Sequence, residues 1–216
     1  EDCRIELPYE QSKIVTGPPV RHDAEITALD RVADGVMRMT LTLRPGADGP
    51  VSADFESGQF VRIVVPGSPP GREMRRAYSP ANVANWDGQL EFYIRLLPGG
   101  AMSEYLNQTA AVGDVLTVSS ADGEFGLAEN GLRPRWFLAG GTGLSPLRSM
   151  LRKMAEWGEA QPARLFFGVT RHGAASAAKE TCVWSDANGD GQRQPEEIKS
   201  VAGDYRFSGW YMNMTP

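Results

Sequence analysis

WFLAGGTGLSPLRSM, running from Trp136 to Met150, is the stretch that decides the fold. An apolar run breaks into glycines and resumes with helical spacing, which predicts a strand, a tight turn and a helix start. Gly140, Gly141 and Gly143 carry no Cβ, so the backbone can take positive φ there and a ligand can approach its N–H groups. The helix start aims unpaired N–H groups and the positive end of its dipole at the same spot, which suits a phosphate. Pro146 is well placed in that first turn, where its missing N–H would have been unpaired anyway. Leu147, Met150, Leu151, Met154 and Trp157 then recur at three and four, giving one apolar face for a sheet, so the methionines read as core. ARLFFGVT (163 to 170) completes a strand–helix–strand unit, for which a parallel pair and a ligand edge at the strand carboxyl ends are expected. A glycine turn also serves purely steric ends, so its meaning depends on what lies upstream.

Upstream lies RRAYSP, Arg75 to Pro80. Arg76 offers a fork of donors for a phosphate, Tyr78 a flat face for a ring system and Ser79 a small hydroxyl. Strand alternation puts Arg76 and Tyr78 on one face and turns Ser79 away. An ordinary surface strand with an amphipathic tyrosine has the same composition. From Ala24 to Val118, the β-prone runs EITALDRV, VMRMTLTLRP, QFVRIVVPG, LEFYIRLL and DVLTVSS alternate with Gly, Pro, Asn and Asp turns, which predicts a small antiparallel barrel. Gly99 and Gly100 lead into AMSEYLNQ, where Met102, Tyr105 and Leu106 have helical spacing. That helix can offer free N–H groups to a pyrophosphate, cap the barrel mouth, or do both.

Composition sets the outer bounds. The 216 residues are 41% hydrophobic and 23% charged, a globular balance with room for one large or two modest domains. A formal net charge of −5 and the absence of any Lys/Arg run argue against a nucleic-acid surface. No apolar stretch reaches the ~20 residues needed to cross a bilayer, and EDCRIELPYE is not an export signal; no membrane insertion and a cytoplasmic setting are expected. Cys3 and Cys182 form neither a disulfide framework nor a zinc spacing.

The order RxYS, GGxxS, GGTGxSP resembles the ferredoxin-NADP reductase superfamily, and within it the reductase components of multicomponent oxygenases such as soluble methane monooxygenase. The likeness is carried by GQFVRIVVPG (58 to 67), RRAYSPAN (75 to 82), LEFYIRLLPGGAMSEYL (90 to 106), VGDVLTV (112 to 118), WFLAGGTGLSPLRSML (136 to 151) and LFFGVT (165 to 170). It implies an antiparallel, FAD-binding β-barrel of the ferredoxin reductase type over 21 to 127, followed by a truncated α/β nucleotide-binding domain over 128 to 170. Residues 1 to 20 resemble the linker that follows a ferredoxin-like domain, and 171 to 216 read as a divergent tail. By resemblance, Arg76 neutralises flavin phosphate, Tyr78 flanks the isoalloxazine or ribityl region, and Ser79 bonds near N5. Ser103 with the Gly100 turn holds pyrophosphate, Pro80, Ile94 and Met102 are further cofactor-binding positions, and Arg95 is a second candidate for a phosphate or flavin contact, which a salt-bridged surface strand explains equally well. Gly140, Gly141, Thr142, Gly143 and Pro146 form the nucleotide turn, with Thr142 between nucleotide and flavin. Tyr78, Ser79 and Thr142 are the catalytic candidates.

The function so implied is electron transfer from NADH, or NADPH, through FAD to a [2Fe–2S] ferredoxin domain or oxygenase component. Arg171, after the second strand, could attract the 2′-phosphate of NADPH or be simply solvated. The alternative is a truncated flavin- or calcium-binding module without turnover.

Departures from the family pattern are equally specific. No CGPxxM strand end is present, Cys182 lacks the Gly-Pro that would give it that role, and SADGEFG (120 to 126) has Ala121 where a proline is usual. KETCVW (179 to 184) could add a strand. DANGDGQRQPEE (186 to 197) fits a calcium loop position by position. Asp186, Asn188 and Asp190 supply oxygens, Gly191 the sharp turn, Gln192 a backbone carbonyl, Gln194 the position of a bridging water, and Glu197 a bidentate carboxylate. An Asx/Gly-rich turn before a Pro-Glu-Glu helix start fits equally well. With this tail, the chain reads as a reductase fragment continued by other sequence.

Overall fold

The computed structural model describes residues 20–46, 49–67, 73–128, 131–171, 180–185 and 198–202, with side chains through residue 168. Its first unit is a six-stranded sheet of β1 (Arg21–Ala33), β2 (Val36–Leu43), β3 (Val61–Val64), β4 (Arg75–Tyr78), β5 (Gln89–Arg95) and β6 (Val115–Ser119), in the order β4-β3-β6-β1-β2-β5. Every pairing in it is antiparallel. The two edges, β4 and β5, are brought together by the segment just past β4. The Ala81 N–H donates to the Glu91 carbonyl at 2.7 Å, and the Asn82 side-chain oxygen accepts the Glu91 N–H at 2.9 Å. Closing the edges in this way satisfies backbone groups that an open sheet would leave exposed, and it makes the sheet a barrel.

Alternation along the strands builds the barrel core. Met37, Met39 and Leu41 of β2 pair with Ile94, Phe92 and Leu90 of β5, and all six side chains point inward. Ile26, Val61, Ile63, Val65, Leu116 and Val118 fill the remaining volume, each contributing about 1.5–3 kcal/mol by leaving water. The predicted helix is α1 (Ala101–Gln108), whose Met102 and Leu106 plug one end of this core.

The second unit has strand order β10-β9-β8-β7, made of β7 (Arg135–Gly140), β8 (Ala163–Arg171), β9 (Glu180–Ser185) and β10 (Ile198–Ala202). A 3-10 turn, Gly141–Gly143, and α2 (Leu144–Glu156) connect β7 to β8, which run parallel as expected. β9 and β10 join as antiparallel strands, and β10 was not anticipated. Leu147, Met150 and Met154 pack on Phe137 and Ala139, with Leu151, Leu165 and Phe167 around them. Trp157 does not join that face. The helix ends at Glu156, Gly158 turns the chain at φ 63°, and Trp157 is left 75% exposed beneath the Lys153 ammonium. Among the described residues no helix is long and apolar enough to cross a membrane.

Candidate functional site

Strand register decides where the RRAYSP side chains go. Val61 and Ile63 face the core, and they pair with Tyr78 and Arg76, so those two share the barrel's inner side at its β4 edge. Tyr78 is half-buried against the core, its ring edge-on to Phe92 of β5, while Arg76 remains exposed and, among the described residues, donates to the Arg75 carbonyl. Arg75 lies on the opposite face, paired with Glu73 at 3.0 Å, beside Arg21 and Arg62. Burial pushes the Tyr78 hydroxyl up, with Arg76 opposing in part, so the phenol stays protonated. Ser79 is half-buried at the strand's end. Arg95, at the exposed end of β5, has no ion pair among the described residues.

From Arg95 the chain runs directly into α1. Gly99 takes φ 70°, and a Cβ on Gly100 would stand 3.1 Å from Ser103 Oγ and 3.2 Å from the Leu97 carbonyl. No side chain caps α1, so the N–H groups of its first turn are available to an anion. Ser103 is buried and accepts the Leu97 N–H at 2.9 Å, leaving its own proton to donate.

The glycine turn also approaches this part of the barrel, since Gly141–Gly143 lies against β5. Of its glycines only Gly141, at φ 53°, uses the left-handed region. Gly140 is extended and pairs with Gly168, and Gly143 is already helical. Thr142 is half-buried in this turn. α2 also lacks a side-chain cap and has no acidic residue in its first turn. The Ser145 hydroxyl, in that turn, is buried without a hydrogen-bond partner.

Tyr78 lies against Phe92 of β5 and the Thr142 turn lies against the same strand, whose end at Arg95 leads through Gly100 into α1 and Ser103. Four expected contact residues sit differently. Ile94 is 1% exposed, Met102 2%, and Pro80 and Pro146 are also buried, so their side chains pack inside the protein and can serve a ligand only by shaping the backbone. The calcium-loop candidates Asp186, Asn188, Asp190, Gln192 and Glu197 lie outside the described residues, as does Cys3. Among the described residues no group of three or more His, Cys, Asp or Glu could hold a metal ion.

A polar cluster that sequence reading missed joins the two units. Arg148 Nη1 donates to the Ala81 carbonyl at 3.0 Å and to Glu91 Oε1 at 3.1 Å, with its guanidinium 5.3 Å from the centre of the Tyr93 ring. Tyr93 donates to the same carboxylate at 2.7 Å, and Arg152 approaches its other oxygen at 3.4 Å. Burial would raise the Glu91 carboxyl, but the Tyr93 hydrogen bond and the two arginines outweigh it and hold the group below the ordinary range. Beside it, Ser149 Oγ lies 2.6 Å from the Asn82 carbonyl and 2.9 Å from Ser57 Oγ. Only the charged face of α2 in the sequence hinted at these contacts.

The barrel, its uncapped α1 and the glycine-turn unit define a ferredoxin-NADP reductase-type protein: the chain belongs to this family, with an FAD-binding barrel followed by part of an NAD-binding domain. Residues 23–126 match the oxidoreductase FAD-binding domain, and 137–201 match the oxidoreductase NAD-binding domain, across β9 and β10. Among particular relatives, methane monooxygenase component C of Methylosinus trichosporium is 47% identical over 147 residues, 68% of this chain and 42% of that one. The toluate 1,2-dioxygenase electron transfer component of Pseudomonas putida is 36% identical over 169 residues, 78% of this chain and 47% of that one. A solved ferredoxin reductase in carbazole 1,9a-dioxygenase superposes with a TM-score of 0.61 at 30% identity, over 72% of this chain and 44% of that one. The chain spans less than half the length of these relatives. Neither matching domain is a calcium-binding one.

Proposed function

We propose that this chain is the flavin-reducing part of an electron-transfer reductase, taking electrons from NADH through FAD to an iron–sulfur domain or oxygenase component. The observation that carries this reading is the approach of Tyr78 and the Gly141–Gly143 turn to one strand, β5. The residues present fit both cofactors. A flat, half-buried aromatic face, an exposed Arg76 with no ion pair among the described residues, an uncapped helix behind a cramped Gly100, and an orphaned Ser145 hydroxyl in a second uncapped helix suit two phosphate-bearing ring ligands.

When bound, the nicotinamide supplies a hydride and the flavin accepts it and releases electrons singly. The protein's part is orientation and charge. Arg76 and Arg95 would neutralise phosphate, Tyr78 would flank the flavin ring with a phenol that stays neutral, and Ser79 would donate at the ring edge. The α1 N–H groups and Ser103 would hold pyrophosphate, and Thr142 would stand where the nicotinamide meets the flavin. NADH is preferred over NADPH on family likeness, and the oxygenase assignment rests on what the relatives are.

Purified protein should carry a flavin spectrum that bleaches on anaerobic addition of NADH, and more slowly with NADPH. A flavin reduced by dithionite but indifferent to both nucleotides would overturn the reductase reading and leave a flavin-holding module.

A further inference from the structure

We propose that Arg148, with Glu91 and Ser149, is a latch that positions the nucleotide turn over the flavin strand, making Arg148 a positioning residue for hydride transfer. The proposal rests on the reductase reading and adds to it how the two cofactor supports are held in register.

The argument starts from how α2 uses its faces. Its apolar face, Leu147, Met150 and Met154, packs mainly on its own sheet and the chain leading into it. Toward the barrel it presents Arg148, Ser149, Arg152 and Lys153, which reach Ala81, Asn82, Glu91, Ser57 and Glu56. Apolar contacts tolerate sliding, whereas hydrogen bonds fix distance and direction, so these polar contacts set where α2 sits on the barrel. The place they grip is specific. Ala81 and Asn82 follow Tyr78–Ser79–Pro80 without a break, and both bond to the backbone of Glu91 in β5. Arg148 lies little more than one helical turn beyond Gly143. One cluster thus ties the end of the flavin strand to the start of the nucleotide helix.

Its chemistry favours a single geometry. Ser149 is wholly buried, and its hydroxyl is held between two acceptors, the Asn82 carbonyl at 2.6 Å and Ser57 Oγ at 2.9 Å. Arg148 combines two hydrogen bonds from Nη1 with a position over the Tyr93 ring, a combination that a lysine cannot reproduce.

The test compares the flavin-loaded chain with Arg148→Ala, Arg148→Lys and Glu91→Gln. By amide hydrogen exchange, segment 141–149 should exchange about tenfold faster in Arg148→Ala, with the barrel strands and flavin content unchanged. In anaerobic stopped flow, the limiting rate of flavin reduction should fall about tenfold to a hundredfold while the half-saturating NADH concentration stays put. Arg148→Lys should recover only part of the rate, and Arg148→Ala/Glu91→Gln should be no slower than Arg148→Ala, as members of one unit behave. If Arg148→Ala does not fold, Glu91→Gln carries the same expectations. Unchanged exchange, a rise in half-saturating NADH as the main effect, or additive losses in the double variant would each overturn the latch. If the parent chain is reduced by dithionite but not by NADH, the reductase reading fails on its own, and the exchange result alone judges the latch.

Discussion

Tyr78 stands edge-on to Phe92, with ring centroids 6.3 Å apart and planes inclined at 63°. Phe92 is fully buried, so the barrel core itself fixes the tilt of the Tyr78 ring, the face proposed for the flavin. Phe92→Ala should therefore cost about 3–5 kcal/mol of stability, read from urea unfolding, and should lower flavin content as well. Phe92→Leu should cost less on both measures.

Arg76 and Arg75 are neighbours with opposite fates. Arg75 is paired with Glu73 on the outer face, whereas Arg76, proposed to meet the flavin, is exposed and has no ion pair among the described residues. Arg76→Ala should weaken FAD retention about tenfold or more, the usual loss for a hydrogen bond to a charged group. Arg75→Ala should leave it nearly unchanged, because an exposed ion pair contributes little. Equilibrium dialysis against free FAD measures both.

Glu91 gives the joined units a pH dependence of known sign. Its carboxyl is held below the ordinary value of 4.5, so the folded state prefers the ionised form more than the unfolded chain does. Its stabilisation is complete above that ordinary value and is lost as pH falls through the lower, folded one. The melting temperature should thus fall more steeply below about pH 4.5 in the parent than in Glu91→Gln, where this contribution is already missing.

Gly58 takes φ 110°, and a Cβ there would fall against the Phe125 carbonyl oxygen and the Met150 methyl group. The loop carrying Ser57 can lie under α2 only because this residue has no side chain. Gly58→Ala should destabilise the protein by about 1–3 kcal/mol and speed exchange in α2 more than in β1 or β2.

Ser103→Ala would leave the Leu97 N–H without its acceptor at the turn that enters α1. A loss of about 1–3 kcal/mol is expected in thermal unfolding, together with weaker FAD retention, because the same hydroxyl has a proton to offer.

The sequence by itself determined the elements and most of their facing. Met37, Met39 and Leu41 alternate with polar residues, Leu90, Phe92 and Ile94 do the same, and the run from Trp136 to Met150 changes period at its glycines. Such periodicities are local, since they follow from residue geometry within a few positions, and they sufficed for the barrel strands, both helices and the shared face of Arg76 and Tyr78. Tertiary structure alone decided that Ile94 and Met102 are core rather than ligand surface, that Trp157 turns outward, and that Ile198–Ala202 finds a place beside β9. It alone brought Ala81 to Glu91, and Arg148 to both. Those outcomes depend on which distant residue arrives at hydrogen-bonding distance once the core has closed, and no period along a chain carries that information.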